Sequence, residues 1–379
     1  MKILYVASDQ QVPGRTGGSV HVLEVARGLA GRGHEVHAVV RAGGGGAAAE
    51  RCDGVWWHRI DWWPPHRLFR FRARPAIARL LAETGAQALM ERYYNFGGEG
   101  VLAAHERGVP SLLEVNSPVL DHPGSWKARL DALLVTRPLR RYREELLRRA
   151  AAVVAPLPEI VPLEARQKTQ IVTWGANVEA FSPERRRPGT RDELGIPRDA
   201  CVVLFSGSFR PWHGVHVFEA AARLLRRRQD LFFLLVGGAR AGAAESFRGR
   251  YTGAMPYERM PELVAAADVG VAPYDTARLA QLQLGFYWSP LKIFEYMASG
   301  LPSVTLPRAP LTEIVRDGRE GLHFREADPA ALAAAIERLA DDAALRARLG
   351  ASARERVVAH YSWALHCAQL EGVLLRMVA

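Results

Sequence analysis

The sequence predicts an α/β protein made of two doubly wound domains, each with a mainly parallel sheet. The chain has 379 residues, which is more than one hydrophobic core usually serves. Short apolar runs alternate with amphipathic segments in both halves, as in parallel strands joined by crossover helices. A charged, proline-rich stretch without apolar periodicity separates the halves. We therefore expect a first domain over residues 1–177, a linker over 178–200 and a second domain over 201–361, with a last helix over 362–379 that packs back on the first.

A strand, a glycine turn and a helix open the first domain. Lys2–Ser8 is a short apolar run that suits a buried parallel strand, and Val20–Leu29 has helical periodicity. Glu35–Val40 is the next predicted strand, which completes a βαβ unit. The glycine turn does not fit the GxGxxG dinucleotide pattern. We interpret Gly17 and Gly18 as a point where the backbone passes close to a ligand, with a plain tight turn as the alternative.

The rest of the first domain continues the alternation. Strands are predicted at Ala88–Tyr93, Ser111–Val115, Ala152–Pro156 and Thr169–Trp174, with a helix at Gly100–Glu106. In open parallel sheets, ligands bind outside the carboxyl ends of the strands. The segments at three such ends are therefore expected around one cleft: Ser8–Gly18, Glu91–Tyr94 and Asn116–His122.

The second domain repeats the pattern. Its predicted strands are Cys201–Gly207, Leu231–Gly238, Val269–Tyr274 and Ser303–Leu306. A loop over Phe209–Gly214 follows the first of these strands and precedes a helix over Val215–Arg227. Further helices begin at Pro329.

A helix late in the second domain has a well-marked start. Ser289 is a good N-cap and Pro290 suits the first helical position, so the helix is expected to run to Gly300. Lys292 and Glu295 share one face of its first turns, where free backbone N–H groups and the helix dipole favour a phosphate. Only four of the 50 basic residues are lysines, which favours a specific use of a compact point charge. The alternative is an ordinary surface Lys–Glu pair.

The formal net charge of +10 admits nucleic acid, an anionic membrane or phosphorylated small molecules as partners. Basic residues are concentrated at 55–74, where aromatic pairs precede a run of arginines, and at 127–149. The first of these has three interpretations: peripheral membrane contact through 56–74, an insertion that binds a soluble substrate, or aromatic core packing with a solvated arginine face. No nucleic-acid partner is expected, because no known module is present and the charges do not alternate with stacking aromatics.

Cysteine content and hydropathy limit the remaining classes. The three cysteines are far apart and form no CxxC or Cys/His cluster, so neither a disulfide framework nor a zinc site is expected. No apolar run reaches the ~18–20 residues of a membrane span, and the first strand leaves no room for a signal peptide. We expect a cytoplasmic protein, with peripheral association at the inner membrane surface as an extension of that expectation.

Six motifs follow one another along nearly the whole chain. They are Gly17-Gly18 opening a helix that ends at Gly33–Val36, then Gly175–Pro183, Gly207–Gly214, Ala267–Tyr274, Glu295–Pro302 and Glu313–Gly321. In this order they resemble the retaining glycosyltransferases of family 4, which have the GT-B fold. The resemblance implies two Rossmann-like domains facing across a cleft, with the acceptor on the first and the sugar donor mainly on the second. It implies transfer of a sugar to an acceptor hydroxyl with retention at the anomeric carbon.

The resemblance also implies the substrates and the chemistry. The donor would be a nucleotide sugar such as a UDP-, GDP- or dTDP-sugar, with no cofactor and no metal. The acceptor would be a glycolipid, a polysaccharide or a natural-product glycoside. In front-face attack the leaving diphosphate accepts the proton of the acceptor, so stabilising the departing charge is the main task. A double displacement through Glu114 or Asp121 is the mechanistic alternative, and a nucleotide-sugar epimerase of the same fold is the alternative function.

The motifs and the local chemistry together give the candidate site. The catalytic candidates are Asn116, Arg210 and Lys292. The donor-binding candidates are Gly17, Gly18, Ser208, His213, Tyr274, Ser289, Pro290, Leu291 and Glu295, with Glu295 on the ribose as the resemblance implies. The acceptor-side candidates are Arg92, Tyr93, Asp121 and His122, where a capping Asp and a surface His are the alternatives for the last two. No metal ligand is expected.

The sequence departs from the family pattern at several of these positions. The diphosphate loop commonly carries an arginine and a lysine where this chain has Ser208 and His213. Arg210 and Lys292 are therefore expected to supply the cations, with His213 assisting. Tyr287 replaces a carboxylate that usually touches the donor sugar, and Asn116 replaces a histidine that the family often carries.

Overall fold

The chain forms two compact units. The computed structural model describes residues 1–14, 16–43, 47–63, 67–93, 97–119, 128–129, 137–279, 282, 286–287 and 290–379. The first unit contains Met1–Trp174, Tyr287 and Trp363–Ala379, and the second contains Gly175–Phe286 and Pro290–Ser362. The candidate residues Asp121, His122 and Ser289 lie outside the described residues.

Fourteen strands are present in the described residues. They are β1 (Lys2–Ala7), β2 (Glu35–Arg41), β3 (Ala49–Cys52), β4 (Val55–Ile60), β5 (Ala88–Tyr93), β6 (Ser111–Val115), β7 (Ala152–Ala155), β8 (Thr169–Ile171), β9 (Cys201–Ser206), β10 (Leu231–Ala243), β11 (Gly249–Gly253), β12 (Val269–Val271), β13 (Ser303–Thr305) and β14 (Gly321–His323).

The α-helices of the described residues connect these strands. They are α1 (Gly17–Gly31), α2 (Arg74–Thr84), α3 (Glu99–His105), α4 (Arg137–Arg149), α5 (Leu163–Arg166), α6 (Pro188–Glu193), α7 (Val215–Leu224), α8 (Met260–Ala265), α9 (Leu291–Ala298), α10 (Leu311–Ile314), α11 (Pro329–Asp341), α12 (Ala343–His360) and α13 (Trp363–Val378). Among the described residues, no helix combines the length and the apolarity that crossing a membrane requires.

The first unit is built on an eight-stranded sheet with the order β3-β4-β2-β1-β5-β6-β7-β8. All neighbouring pairs are parallel except β3 with β4. Ile3–Ala7 on β1 is fully buried, as expected for a central parallel strand covered on both faces. Thr16 caps α1 by accepting a hydrogen bond from the Ser19 amide. The last helix, α13, packs on α1, with Cys367 directly against Gly28.

The aromatic and basic segment 55–74 is only partly a surface. Its first residues form β4, which pairs with β2 and β3 inside the sheet. Trp57 and Trp62 are buried in the core, whereas Trp63 is 76% exposed and Phe71 is 56% exposed. Arg70, on a 3-10 helix over Arg67–Ala73, is also buried. Core packing therefore explains the buried part of the segment, but it does not explain the exposed side chains of Trp63 and Phe71.

The second unit is built on a six-stranded parallel sheet with the order β11-β10-β9-β12-β13-β14. The stretch 178–200, predicted as a linker, lies within this unit and includes α6. Arg191 on α6 is buried and donates to the Ala266 carbonyl at 2.9 Å and to Asp268 at 2.7 Å. Arg191 thus makes buried contacts from this segment, together with the buried side chains of Phe181, Leu194 and Ile196.

Candidate active site

The loop after β9 follows a path that requires glycine. Gly207 and Gly214 have φ values of 148° and 71°, a region that other residues rarely adopt. A Cβ atom at Gly214 would collide with the carbonyl oxygen of Pro273, and one at Gly237 would collide with the carbonyl oxygen of Gly207. The backbone of this loop is therefore in close contact with the backbone of two other segments, at Pro273 and at Gly237. Its amide groups and the side chains that face it are held at fixed positions.

Lys292 lies in the first turn of α9 and points at this loop. Its Nζ atom lies 4.2 Å from the ring centroid of Phe205 and 5.3 Å from that of Tyr274, so aromatic faces support the charge. A Cβ atom built at Gly207 would lie 3.0 Å from Nζ. The amine is buried and has no hydrogen-bond partner among the described residues. Burial lowers the pKa of Lys292 to about 7, although the carboxylate of Glu295 opposes that shift.

His213 faces the same point from the loop itself. Its Nδ1 atom would lie 3.2 Å from a Cβ atom at Gly207, and it has no hydrogen-bond partner in the described part of the chain. Burial, together with the charges of Lys292 and Arg210, lowers the pKa of His213 to about 2. The imidazole is therefore neutral near pH 7. Ser208 and Arg210 are exposed on the same loop.

Helix α9 is anchored to the end of β9. The Tyr296 hydroxyl accepts a hydrogen bond from the Ser206 amide at 2.8 Å and lies 3.0 Å from the Ser206 hydroxyl. The Tyr296 ring fills the space above Gly270, where a Cβ atom would collide with it. Pro290 occupies the N-cap position, one residue later than the sequence predicts, and Leu291 is the first helical residue. Glu295 is buried on the same helix.

Tyr274 completes the wall of the site. It is buried, and its ring stacks on Trp212 with centroids 5.9 Å apart and lies 4.6 Å from the ring of Phe286. The loop thus carries a neutral imidazole and an exposed guanidinium, and it faces the N-terminus of a helix and a buried amine that has no hydrogen-bond partner among the described residues. This set of donors suits a small dianionic group such as a diphosphate.

Comparison with known proteins assigns both units to families. The sequence model described as Glycosyltransferase Family 4 matches residues 15–161, and the model described as Glycosyl transferases group 1 matches residues 200–342. A D-inositol 3-phosphate glycosyltransferase of Acidothermus cellulolyticus is 30% identical, and the match covers 90% of this chain and 82% of that protein. The chain belongs to glycosyltransferase family 4. It is therefore an enzyme of that type, as its motifs predict.

Solved structures show the fold of this family 4 glycosyltransferase. Sucrose-phosphate synthase from Thermosynechococcus elongatus aligns with a TM-score of 0.75 at 21% identity, covering 99% of this chain and 98% of that one. Anabaena HepE, solved in complex with UDP and glucose, aligns with a TM-score of 0.70 at 16% identity and covers 99% of each chain. These likenesses confirm the predicted two-domain α/β GT-B fold.

The candidates in the first unit of the family 4 enzyme are held by internal contacts. Arg92 is buried at the end of β5 and donates to Asp9 at 2.7 Å. Tyr93 is buried beside it, and its carbonyl accepts a hydrogen bond from the Asn116 amide at 3.1 Å. The Asn116 side chain donates to the Glu114 carbonyl at 3.2 Å. These residues thus lie together at the carboxyl ends of β5 and β6.

Gly17 and Gly18 are the first two residues of α1 rather than part of an open turn. A Cβ atom at Gly18 would meet the side-chain amide of Gln10, so this glycine makes room for a neighbouring side chain. Tyr287, which stands where the family usually has a carboxylate, is buried.

Sequence reasoning missed a buried ionic network in the first unit, formed by Arg70, Glu91 and Glu99. Arg70 lies 3.0 Å from Glu99 and 4.0 Å from Glu91. Glu91 accepts hydrogen bonds from the amides of Gly98 and Val101 at 2.6 and 2.8 Å, at the start of α3. Burial and the charge of Glu99 nevertheless raise the pKa of Glu91 to about 8. The only signal in the sequence was that Glu91, a charged residue, lies within a predicted strand. Such a signal does not identify the residues that contact it.

Proposed function

We propose that this enzyme transfers a sugar from a nucleotide diphosphate sugar to an acceptor hydroxyl, with retention of configuration at the anomeric carbon. The observation that carries the proposal is the buried amine of Lys292, which has no hydrogen-bond partner among the described residues and faces the glycine loop after β9. The carboxylate of Glu295 only partly offsets the cost of burying this ammonium, and a bound diphosphate would supply a further counter-charge.

The other donors of the loop would complete the diphosphate site. Exposed Arg210 can approach the phosphate oxygens with its guanidinium fork, and neutral His213 can donate a hydrogen bond without adding charge. Glu295, buried one turn after the helix start, is proposed to bind the ribose. Because these groups balance the diphosphate charge, we propose that donor binding requires no metal. The affinity for UDP should then be the same with and without Mg²⁺.

We propose front-face attack for the chemical step. The bond from the anomeric carbon to the acceptor oxygen forms as the bond to the diphosphate oxygen breaks, and the leaving diphosphate takes the acceptor's proton. Lys292 and the N-terminus of α9 would stabilise the developing negative charge. Glu114, the alternative nucleophile, is buried, and its Oε1 atom lies 2.7 Å from Nε2 of His21. That pairing favours a mechanism without a protein nucleophile.

The donor is proposed to be a UDP-, GDP- or dTDP-sugar, and UDP-glucose is the first to test because HepE was solved with UDP and glucose. The acceptor panel should contain glycolipid, oligosaccharide and natural-product glycosides. It should also contain a phosphorylated inositol, since the Acidothermus cellulolyticus relative is named for that substrate. Product formation should require an acceptor. Conversion of the nucleotide sugar alone would indicate an epimerase.

The diphosphate site is tested by calorimetric titration with UDP. Lys292→Met should weaken binding about 10–100-fold, because losing a charge-assisted hydrogen bond costs about 1.5–3 kcal/mol. Lys168→Met is the matched control, since that lysine donates to the Ala150 carbonyl in the first unit. Equal affinities for the wild type and the Lys292 variant would contradict the proposal.

We also propose that the exposed aromatics of segment 56–74 contact an anionic membrane. Trp63 and Phe71 are exposed on a basic segment, and Arg72 donates to the Trp63 carbonyl. Sedimentation with anionic liposomes should decrease when both aromatics are replaced by alanine, and it should decrease with added salt. Leu163→Ala removes an apolar side chain that is 70% exposed in the same unit, so it should have no effect. Salt-independent sedimentation would argue against this contact.

A further inference from the structure

Three side chains that are distant in the sequence meet inside the first unit. His21 lies on α1, Glu114 on β6 and His366 on α13, and all three are buried. Nε2 of His21 lies 2.7 Å from Oε1 of Glu114, and Nε2 of His366 lies 4.0 Å from the same oxygen. The three atoms lie within 4.8 Å of one another. Within the described residues, none of them makes a hydrogen bond of acceptable geometry.

The tautomer of His366 is set by the hydrogen bond that its Nδ1 atom makes. Nδ1 lies 2.8 Å from the Thr173 carbonyl, which can only accept, so Nδ1 carries the proton and Nε2 presents a lone pair. A neutral imidazole whose other nitrogen donates to a carbonyl is the usual form of a metal ligand.

Tyr5 contacts the other two side chains of the cluster, at Nδ1 of His21 and Oε2 of Glu114. Its hydroxyl lies 3.4 Å from Nδ1 of His21 and 3.4 Å from Oε2 of Glu114. If the hydroxyl donates to the carboxylate, it accepts from Nδ1–H, and Nε2 of His21 then presents a lone pair to Glu114. Two acceptor atoms 2.7 Å apart repel each other unless a cation lies between them. That cation is either a proton on His21 or a metal ion.

Two tryptophan rings lie against His21. The indole of Trp174 stacks on His21 with centroids 4.3 Å apart, and Trp363 lies against the same ring at 5.6 Å. Aromatic surface therefore covers the cluster, which strengthens electrostatic interactions within it.

We propose that His21, Glu114 and His366 bind one Zn²⁺ ion that joins α1, β6 and α13. Two imidazole nitrogens and one carboxylate oxygen suit zinc, whereas Ca²⁺ and Mg²⁺ favour oxygen ligands. In a tetrahedral zinc site with bonds of about 2.0–2.1 Å, neighbouring ligand atoms are about 3.3 Å apart. The separations of 2.7 and 4.0 Å lie on either side of that value. Three protein ligands leave a fourth position for water.

The ion would act on the stability of the first unit. Its ligands come from a helix and a strand of the sheet and from the helix that ends the chain, so it would fasten α13 to the rest of the unit. A metal that binds the folded unit and not the unfolded chain raises the free energy of unfolding. This role is independent of the proposed sugar transfer.

Metal binding is tested on the full chain after dialysis against EDTA. Titration with ZnCl₂, followed by equilibrium dialysis and elemental analysis, should give one Zn²⁺ per chain and raise the thermal midpoint by several degrees. His366→Gln should lose the bound zinc and the thermal shift. His323→Gln is the matched control, because that ring also bonds a backbone carbonyl but lies in the second unit, and it should keep both.

Two results would overturn the proposal. One is wild-type protein that binds no zinc and shows no thermal shift, which would mean that a proton on His21 fills the space as a buried ion pair. The other is a sulfur ligand in the X-ray absorption spectrum of the zinc-loaded wild type, since this site offers only nitrogen and oxygen. The spectrum needs no variant, so the proposal remains testable if His366→Gln fails to fold.

Discussion

Lys292 shows that the position of a charge in space matters more than its position in a motif. The family pattern places cations on the loop after β9, where this chain has Ser208 and His213. The amine of Lys292 reaches the same loop from α9 and lies beside Gly207. Its environment also differs from that of an exposed loop lysine, since burial lowers its pKa to about 7.

The titration of Lys292 should make donor affinity depend on pH. A bound diphosphate favours the ammonium form, so binding raises the pKa of Lys292 above its value of about 7 in the free enzyme. Affinity for a nucleotide sugar should then be full below about pH 7. Above that pH it should decrease by up to tenfold per pH unit until the pKa of the bound state is reached. Calorimetric titrations from about pH 6 to about pH 9, which is about one unit below that pKa to about two units above it, measure this profile.

Lys292→Arg is the control for this profile, because arginine stays charged throughout that range. The variant should show a flat dependence of affinity on pH even if its absolute affinity is lower. A wild-type profile that is as flat as that of Lys292→Arg would mean that the amine does not contact the diphosphate.

At the residue scale, local signals predicted some side chains and could not predict others. Lys292 could be selected as a candidate from the sequence alone, because the rules for helix capping and for the helix dipole apply within a few neighbouring residues. The cluster of His21, Glu114 and His366 could not be identified from the sequence, since its members lie on three elements that only the fold brings together. No spacing rule for metal ligands covers such distances along the chain.

At the element scale, the contact between α1 and α13 depends on one glycine. A Cβ atom at Gly28 would collide with Sγ of Cys367, which is fully buried. Gly28→Ala should therefore destabilise the first unit by about 1–3 kcal/mol through overpacking. Chemical denaturation measures the change in the free energy of unfolding.

Gly31→Ala, in the same helix, separates overpacking from helix propensity. No atom of the described part of the chain outside the helix's own backbone lies within 4 Å of a Cβ atom at Gly31. This change should leave stability unchanged or increase it by up to about 1 kcal/mol. If both variants were equally stable, α13 would not pack tightly on α1.

The strands that sequence patterns predicted are mostly buried on both faces of parallel sheets. β1 and β9 are nearly continuous apolar runs, whereas Glu91 and Arg92 interrupt β5 and Glu114 interrupts β6. The missed strands have weaker signals: β3 is a largely exposed edge strand, β11 begins and ends with glycine, and β14 has only three residues. β4 was interpreted as part of a basic aromatic segment, since alternation along it places Trp57 inside and Trp56 outside.

At the scale of the whole molecule, each unit has its own sheet and core, so a ligand of one unit should protect that unit first. UDP should slow amide hydrogen exchange most strongly in the loop over Gly207–Gly214 and in Leu291–Ala298. These segments carry the groups proposed to bind the diphosphate. Exchange measured by mass spectrometry, with and without UDP, tests this.

Adenine in place of UDP is the control ligand for that measurement, because it lacks the diphosphate and should give little protection of either segment. Protection by UDP confined to the first unit would place the nucleotide elsewhere.

The order of the two units along the chain also affects how the protein is made. The first unit includes α13, yet Gly175–Phe286 and Pro290–Ser362 belong to the second unit and are synthesised before Trp363. A ribosome that has finished the second unit has therefore not yet released the helix that carries His366 and Cys367. The contacts of α13 with α1, and the meeting of His366 with His21 and Glu114, can therefore form only after the second unit has been synthesised.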